Sequence, residues 1–183
     1  MNGSPGEARP AGRHVFLIGF MGSGKSTVAR LLAEEIGGAF VDLDERVERQ
    51  SGRSVAEIFA DGGEARFREL EHDALASLAD EGASVVACGG GVVLLPENRA
   101  LLKSLGCVVY LEVSAGEALA RIGDVTGRPL LASGGPAAAS QLLSARESLY
   151  RAAADVVIDT SGKPAERVSA EAAAALRAAG CAR

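Results

Sequence analysis

The sequence predicts a single α/β domain: a five-stranded, mainly parallel sheet with helices on both faces and a mobile lid. Three observations predict it. Five short apolar or β-branched runs recur along the 183 residues, at 14–20, 39–43, 84–87, 107–113 and 155–158. The segments between them have helical composition and period, and strands alternating with helices imply parallel crossovers. Each run is also nearly continuous in apolar residues, as strands covered on both faces require. Hydrophobic residues make up 48% of the chain and charged ones 23%, which supplies a core and excludes a mostly disordered polymer.

Taken in order, residues 1–12 are rich in Gly, Pro and Ala and read as a flexible tail before a domain over 13–180. The first run, 14–20, leads into a glycine-rich turn and a helical segment. The second run, 39–43, ends in acidic residues. Helix starts follow at Ser54-Val55-Ala56-Glu57 and Ser114-Ala115-Gly116-Glu117, both capping boxes, and more loosely at Asp61-Gly62-Gly63-Glu64. Pro96 suits a first helical turn. Residues 123–136 hold four glycines and two prolines, so they read as a mobile loop between two helices. The Ala-rich segment 164–179 closes the chain as a helix.

Composition excludes several classes of function. Net charge is −5, aromatic residues are 4% and Trp is absent, so neither a general nucleic-acid surface nor a base-stacking platform is expected. No apolar run approaches the roughly 20 residues of a membrane helix, and the N-terminus lacks the apolar stretch of a signal peptide. Three cysteines, Cys88, Cys107 and Cys181, are odd in number and lack CxxC spacing. Neither a disulfide scaffold nor a cysteine-rich zinc site is therefore expected, and a reducing cytoplasm fits best. Two histidines are too few for a His-based metal cluster.

Directly after the first run stands Gly19-Phe20-Met21-Gly22-Ser23-Gly24-Lys25-Ser26-Thr27. It matches G-x-x-x-x-G-K-[ST] in full, between a strand and a helix as the motif requires. Glycines let the backbone curl until several N–H groups face one phosphate, and the helix start adds the positive end of its dipole. Lys25 is placed to bridge β- and γ-phosphates, and the Ser26 hydroxyl to ligate Mg²⁺. Phe20 and Met21 read as ordinary loop-tip residues. No Asn/Thr-Lys-x-Asp segment of a guanine-nucleotide site follows, so a small phosphotransferase is favoured.

The second run ends Phe40-Val41-Asp42-Leu43-Asp44. In an extended strand residues two apart share a side, which takes Asp42 and Asp44 to the ligand-binding edge of the sheet. One carboxylate could support Mg²⁺ and the other act as base toward an acceptor hydroxyl. Equally, Asp44 could simply cap the next helix.

At this point the chain resembles the shikimate kinase family. The resemblance runs over about 14–164, through the phosphate loop and Asp42-Leu43-Asp44. It continues in Ser51-Gly52-Arg53-Ser54, Ile58-Phe59, Glu64-Ala65-Arg66-Phe67-Arg68 with Glu71, and Gly89-Gly90-Gly91. Arg128-Pro129-Leu130-Leu131 and Arg146 before Leu149-Tyr150 complete it. Singly these motifs are weak, the phosphate loop excepted; their order and spacing are specific.

The resemblance implies transfer of a phosphoryl group from ATP to the 3-hydroxyl of shikimate. It implies that Gly22, Ser23, Gly24, Lys25, Ser26 and Thr27 bind the ATP phosphates, with Ser26 on Mg²⁺ and Asp42 supporting the metal through water. Asp44 then holds the shikimate hydroxyls as candidate base. Arg68 and Arg146 bind its carboxylate, Gly89, Gly90 and Gly91 line its ring, and Phe59 lies on its side. The acceptor region spans 45–78. Arg128 closes a lid over 123–136, and Arg121 with the loop 160–164 flanks adenine. That loop lacks an Arg usual in the family; Lys163 is expected to substitute beside Pro164. Catalysis thus falls to Asp44, Lys25 and Arg128, in a monomer.

Residue chemistry agrees. An anionic acid suits a planar guanidinium. Arg68 and Glu71, three apart, can meet on a helix, although such a pair is more often a solvated one. Cys88 reads as a buried, inert thiol. Two alternatives stay open: another small-molecule kinase, such as a gluconate kinase, and a non-catalytic nucleotide-binding module.

Overall fold

The computed structural model describes residues 14–122 and 135–181. Five strands form one sheet: β1 (His14–Ile18), β2 (Ala39–Asp42), β3 (Ser84–Ala87), β4 (Gly106–Glu112) and β5 (Val156–Asp159). Their spatial order is β2-β3-β1-β4-β5, and every neighbouring pair is parallel. The central strand β1 pairs Val15 with Val85 on one side and with Cys107 on the other. Its carboxyl end therefore opens where successive connections leave in opposite directions, the crevice in which open α/β sheets bind ligands.

Alternation along the strands divides the core. Val15, Leu17, Val85, Val109 and Leu111 face helices α1 (Lys25–Ile36) and α7 (Ala165–Ala178), where Val28, Leu32, Val168 and Leu176 meet them. Phe16, Ile18, Val86, Val108 and Tyr110 face the other way, towards α2 (Leu43–Ser51), α3 (Val55–Ala76), α4 (Pro96–Leu105) and α6 (Gly135–Ala153). Phe16 is fully buried; truncation of such a ring to Ala costs about 3–5 kcal/mol. A third cluster of Phe20, Val113, Ala118 and Ala139 joins the phosphate loop to α5 (Ala115–Ile122) and α6. Phe20 is thus an anchor with no exposure, not a loop-tip residue.

Local signals account for the helix ends. Ser54 and Glu57 form the reciprocal capping box that starts α3, Pro96 opens α4, and Ser114 Oγ accepts from the Glu117 N–H at 3.2 Å. The Asp61 box does not form: Asp61 takes a hydrogen bond from Arg53 at 3.0 Å instead. The chain kinks close by at Gly63, where φ is 66°.

Two readings need correction. Leu43 already begins α2, so Asp44 is in a helical turn and the strand-alternation argument fails one residue too early. Asp42 is the cap, accepting from the N–H groups of Asp44 and Glu45. Second, Cys107 and Cys181 form a disulfide, with Cα atoms 6.0 Å apart. Close-spacing rules miss a pair separated by 74 residues. The bond becomes possible because the turn after α7, with Gly180 at φ 69°, brings Cys181 back over the start of β4. The expected tail at 1–12, the expected lid at 123–136 up to its last two residues, and Arg128 lie outside the described residues.

Candidate active site

The phosphate loop runs from the end of β1 into α1. Gly24 caps α1 at φ 89°, a left-handed conformation that a side chain would strain, and Gly22 packs against the backbone of Ala118. The curl places Lys25 at the helix start, its Nζ donating to the Phe20 carbonyl at 2.9 Å. Beside it opens a cavity of about 500 Å³. Gly22, Gly24, Lys25, Ser26, Thr27, Asp42, Asp44, Gly89, Gly90 and Arg121 all contribute to its wall. Ser23 is buried beneath the loop, 1% exposed. N–H groups, a helix N-terminus and an ammonium together suit a polyphosphate.

Ser26 Oγ donates to Asp42 Oδ2 at 2.8 Å. A hydroxyl and a carboxylate oxygen, side by side at the cavity mouth, are the hard donors that Mg²⁺ prefers. Among the described residues no cluster of three or more His, Cys, Asp or Glu could hold a metal. Ser26 and Asp42 are the residues whose oxygens fit such an ion.

The triple glycine connects this cavity to an acceptor side. A Cβ on Gly89 would lie 2.5 Å from Glu71 Oε1 and 2.8 Å from Asp44 Oδ1. On Gly91 it would collide with the Arg68 guanidinium, and on Gly90 it would lie 3.5 Å from the Gly19 carbonyl of the phosphate loop. At Gly89 and Gly91 only glycine lets backbone approach these groups so closely. The turn thus packs against Asp44, Glu71, Arg68 and the phosphate loop at once.

Arg68 and Arg146 are both buried, 9% and 4% exposed. Arg68 Nη1 donates to Glu71 Oε2 at 2.6 Å, and its Nη2 donates to Glu64 Oε1 at 3.0 Å. Arg146 Nη2 lies 3.9 Å from the same Glu64 oxygen, and its Nη1 donates to the Gly90 carbonyl at 3.3 Å. One carboxylate thus sits between two guanidinium groups. Burial pushes the Glu71 carboxyl up to about 7, with the positive Arg68 pulling against it. Burial also works against the Arg68 charge, but Glu71 and Glu64 more than offset it and its pKa is raised. The pair is no solvated surface bridge. Phe59 rests on Phe67, ring centroids 5.0 Å apart, on the same helix as Arg68.

On the opposite flank, Arg121 donates to Thr160 Oγ1 at 3.0 Å and to the Thr160 carbonyl at 2.6 Å. It tethers α5 to the loop before Pro164, the residue at the start of α7. Lys163 is taken up by Glu171 at 2.7 Å, so its charge is directed to α7. Cys88 lines the cavity wall, and burial lifts its thiol well above the ordinary value, leaving it protonated and inert.

Sequence reasoning did not assign Glu64 or Tyr150 to this site. Their signal was helical spacing: Glu64 stands four residues before Arg68, and Tyr150 four after Arg146, on the same helix face. Tyr150 is fully buried and its hydroxyl donates to the Gly90 carbonyl.

The sequence and the fold are similar to those of known proteins. A sequence profile described as "Shikimate kinase" matches residues 21–177. The shikimate kinase of Geobacter sulfurreducens is 48% identical over 167 residues, covering 91% of this chain and 92% of that protein. That of Moorella thermoacetica is 47% identical, covering 90% and 95%. Among solved structures, the shikimate kinase from Acinetobacter baumannii in complex with shikimate superposes with a TM-score of 0.87 at 36% identity, covering 91% of this chain and 93% of that one.

Proposed function

The chain belongs to the shikimate kinase family, and from that premise we propose that it transfers the γ-phosphoryl group of ATP to the 3-hydroxyl of shikimate. One observation carries the reading. The turn Gly89–Gly91 packs at once against the phosphate loop, Asp44 and the buried guanidinium of Arg68, and its Gly90 carbonyl accepts from Arg146. A donor that binds through phosphates and an acceptor that binds through a carboxylate would then meet across that turn. Glu64, held between the two guanidinium groups, supports the idea that they can hold a carboxylate.

In this reading Gly22, Ser23, Gly24, Lys25, Ser26 and Thr27 bind the triphosphate. Lys25 bridges the β- and γ-phosphates. Ser26 and Asp42 hold Mg²⁺, which when bound offsets phosphate charge. Arg68 and Arg146 fix the shikimate carboxylate. Gly89, Gly90 and Gly91 pass along its ring, and Phe59 lies on its flank. Asp44 accepts a hydrogen bond from the 3-hydroxyl and takes its proton. The oxygen then bonds to the γ-phosphorus as the bond to the β-phosphate bridging oxygen breaks, and ADP leaves. Arg128 brings a further positive charge to the transferred group. Arg121, Lys163 and Pro164 flank the adenine, Lys163 more weakly because Glu171 holds it. The enzyme is a monomer of the cytoplasm that acts on small molecules only, with no nucleic-acid or membrane partner. Among the described residues no helix is long and apolar enough to cross a membrane.

A coupled assay of ADP release with Mg·ATP tests this, comparing shikimate, gluconate and no acceptor. Release with shikimate alone is expected, and Asp44→Asn should lower its rate about 10²–10⁴-fold while ATP binding persists. Release with gluconate instead would overturn the acceptor assignment. Equal loss of turnover and ATP binding would overturn the role of Asp44.

A further inference from the structure

We propose that Tyr150 is a positioning residue for the acceptor: its hydroxyl locks the Gly90–Gly91 peptide against the phosphate loop and so sets the acceptor platform. The proposal rests on the functional reading above. Tyr150 lies near the end of α6, with no exposed surface, and its hydroxyl donates to the Gly90 carbonyl. Its ring stacks on Tyr110 of β4, centroids 5.1 Å apart with 19° between planes. Both ends of the side chain are therefore fixed, one on the sheet and one on the turn.

The geometry favours a positioning role over mere filling of the core. The Gly90 carbonyl takes two donors, the Tyr150 hydroxyl and Arg146 Nη1 at 3.3 Å. Gly90 also lies against Gly19 and Met21 of the phosphate loop. A trans peptide points its C=O and N–H in opposite directions. Holding the Gly90 carbonyl thus fixes the whole peptide that leads into Gly91, the residue packed against the Arg68 guanidinium. Glycines have few restraints of their own, so the orientation of this peptide has to come from its partners. Tyr150 also sits one helical turn after Arg146, so α6 delivers the carboxylate ligand and the peptide clamp together. Burial pushes its phenol up to about 12, with Arg146 pulling it back. The hydroxyl thus remains a donor across the working pH range.

The test compares Tyr150→Phe with Tyr110→Phe, varying shikimate and ATP separately. A lost hydrogen bond of about 0.5–1.5 kcal/mol corresponds to about a 2–12-fold change. The expected result is a rise of that size in the KM for shikimate in Tyr150→Phe, with the KM for ATP within about twofold of wild type. Tyr110→Phe keeps the stack and should behave as wild type. An unchanged shikimate KM, or an equal change in both KM values, would overturn the proposal.

A second measurement covers the case in which Tyr150→Phe does not fold. Tyr110 and Tyr150 are the chain's 2 tyrosines. Labelling with 3-fluorotyrosine thus gives two fluorine signals, assigned by the Tyr110→Phe protein. Saturating shikimate should shift the Tyr150 signal, and a signal that stays in place would overturn the proposal. Wild-type turnover of shikimate is measured first. Its absence would overturn the functional reading itself, and the proposal with it. Turnover with an unaltered Tyr150→Phe would overturn the proposal alone.

Discussion

Glu71 shows what one residue can do at this site. Its side chain is fully buried, one oxygen bonded to Arg68 and the other near Asp44 and the turn at Gly89. Burial lifts the carboxyl to about 7 from an ordinary 4.5; Arg68 and Arg146 oppose the shift, and Asp44 adds to it. The linkage has a definite sign. Between those values the native protein holds a proton that the unfolded chain has released. The contribution to stability is therefore full below the ordinary value and is lost as pH rises through about 7. In Glu71→Gln the side chain is neutral at every pH. The thermal midpoint of wild type relative to this variant should thus fall between about pH 5 and about pH 8. A difference constant with pH would show that Glu71 stays ionised in the fold. From sequence the spacing of Arg68 and Glu71 was legible but its burial was not, because a helix pair three residues apart reads the same on any face.

At the scale of elements, most of the frame could be read directly. All five strands stand where apolar runs marked them, shifted by no more than two residues at an end. Such runs have no solvated face, so their position is set by burial alone. Helix starts with a complete side-chain signal, at Ser54 and Pro96, were legible for the same local reason. Asp61 was not, because Arg53 competes for its carboxylate. The Cys107–Cys181 bond depends on the path of α7 over the sheet, a tertiary fact absent from residue spacing. It closes a loop of 74 residues, for which chain entropy alone suggests about 4 kcal/mol. The bond pins the end of α7 to the start of β4 and is absent when the two thiols are reduced. Purified in air, Cys181→Ser should melt about 8–16 °C below wild type. Under a strong reductant the two should coincide. A wild-type midpoint indifferent to reductant would show that the bond contributes nothing.

At the scale of the whole molecule, a chain of net charge −5 gathers Lys25, Arg68, Arg121 and Arg146 along one edge of its sheet. These cations stand among Asp42, Asp44, Glu64 and Glu71, so positive charge is available locally within an acidic chain, which suits two anionic small substrates better than an extended polyanion. The sheet order supplies the crevice, the phosphate loop one wall, and α3 with α6 the other. The phosphate loop could be recognised from contiguous residues. The acceptor wall could not, because Gly90, Arg146 and Glu64 are far apart in the chain and meet only in the fold. The central claim is that this crevice directs the γ-phosphoryl group to one hydroxyl of shikimate. Phosphorus NMR of the completed reaction tests it most directly. The account predicts ADP and a single phosphomonoester whose phosphorus couples to the hydrogen on carbon 3. Phosphate on another hydroxyl, or inorganic phosphate alone, would contradict it.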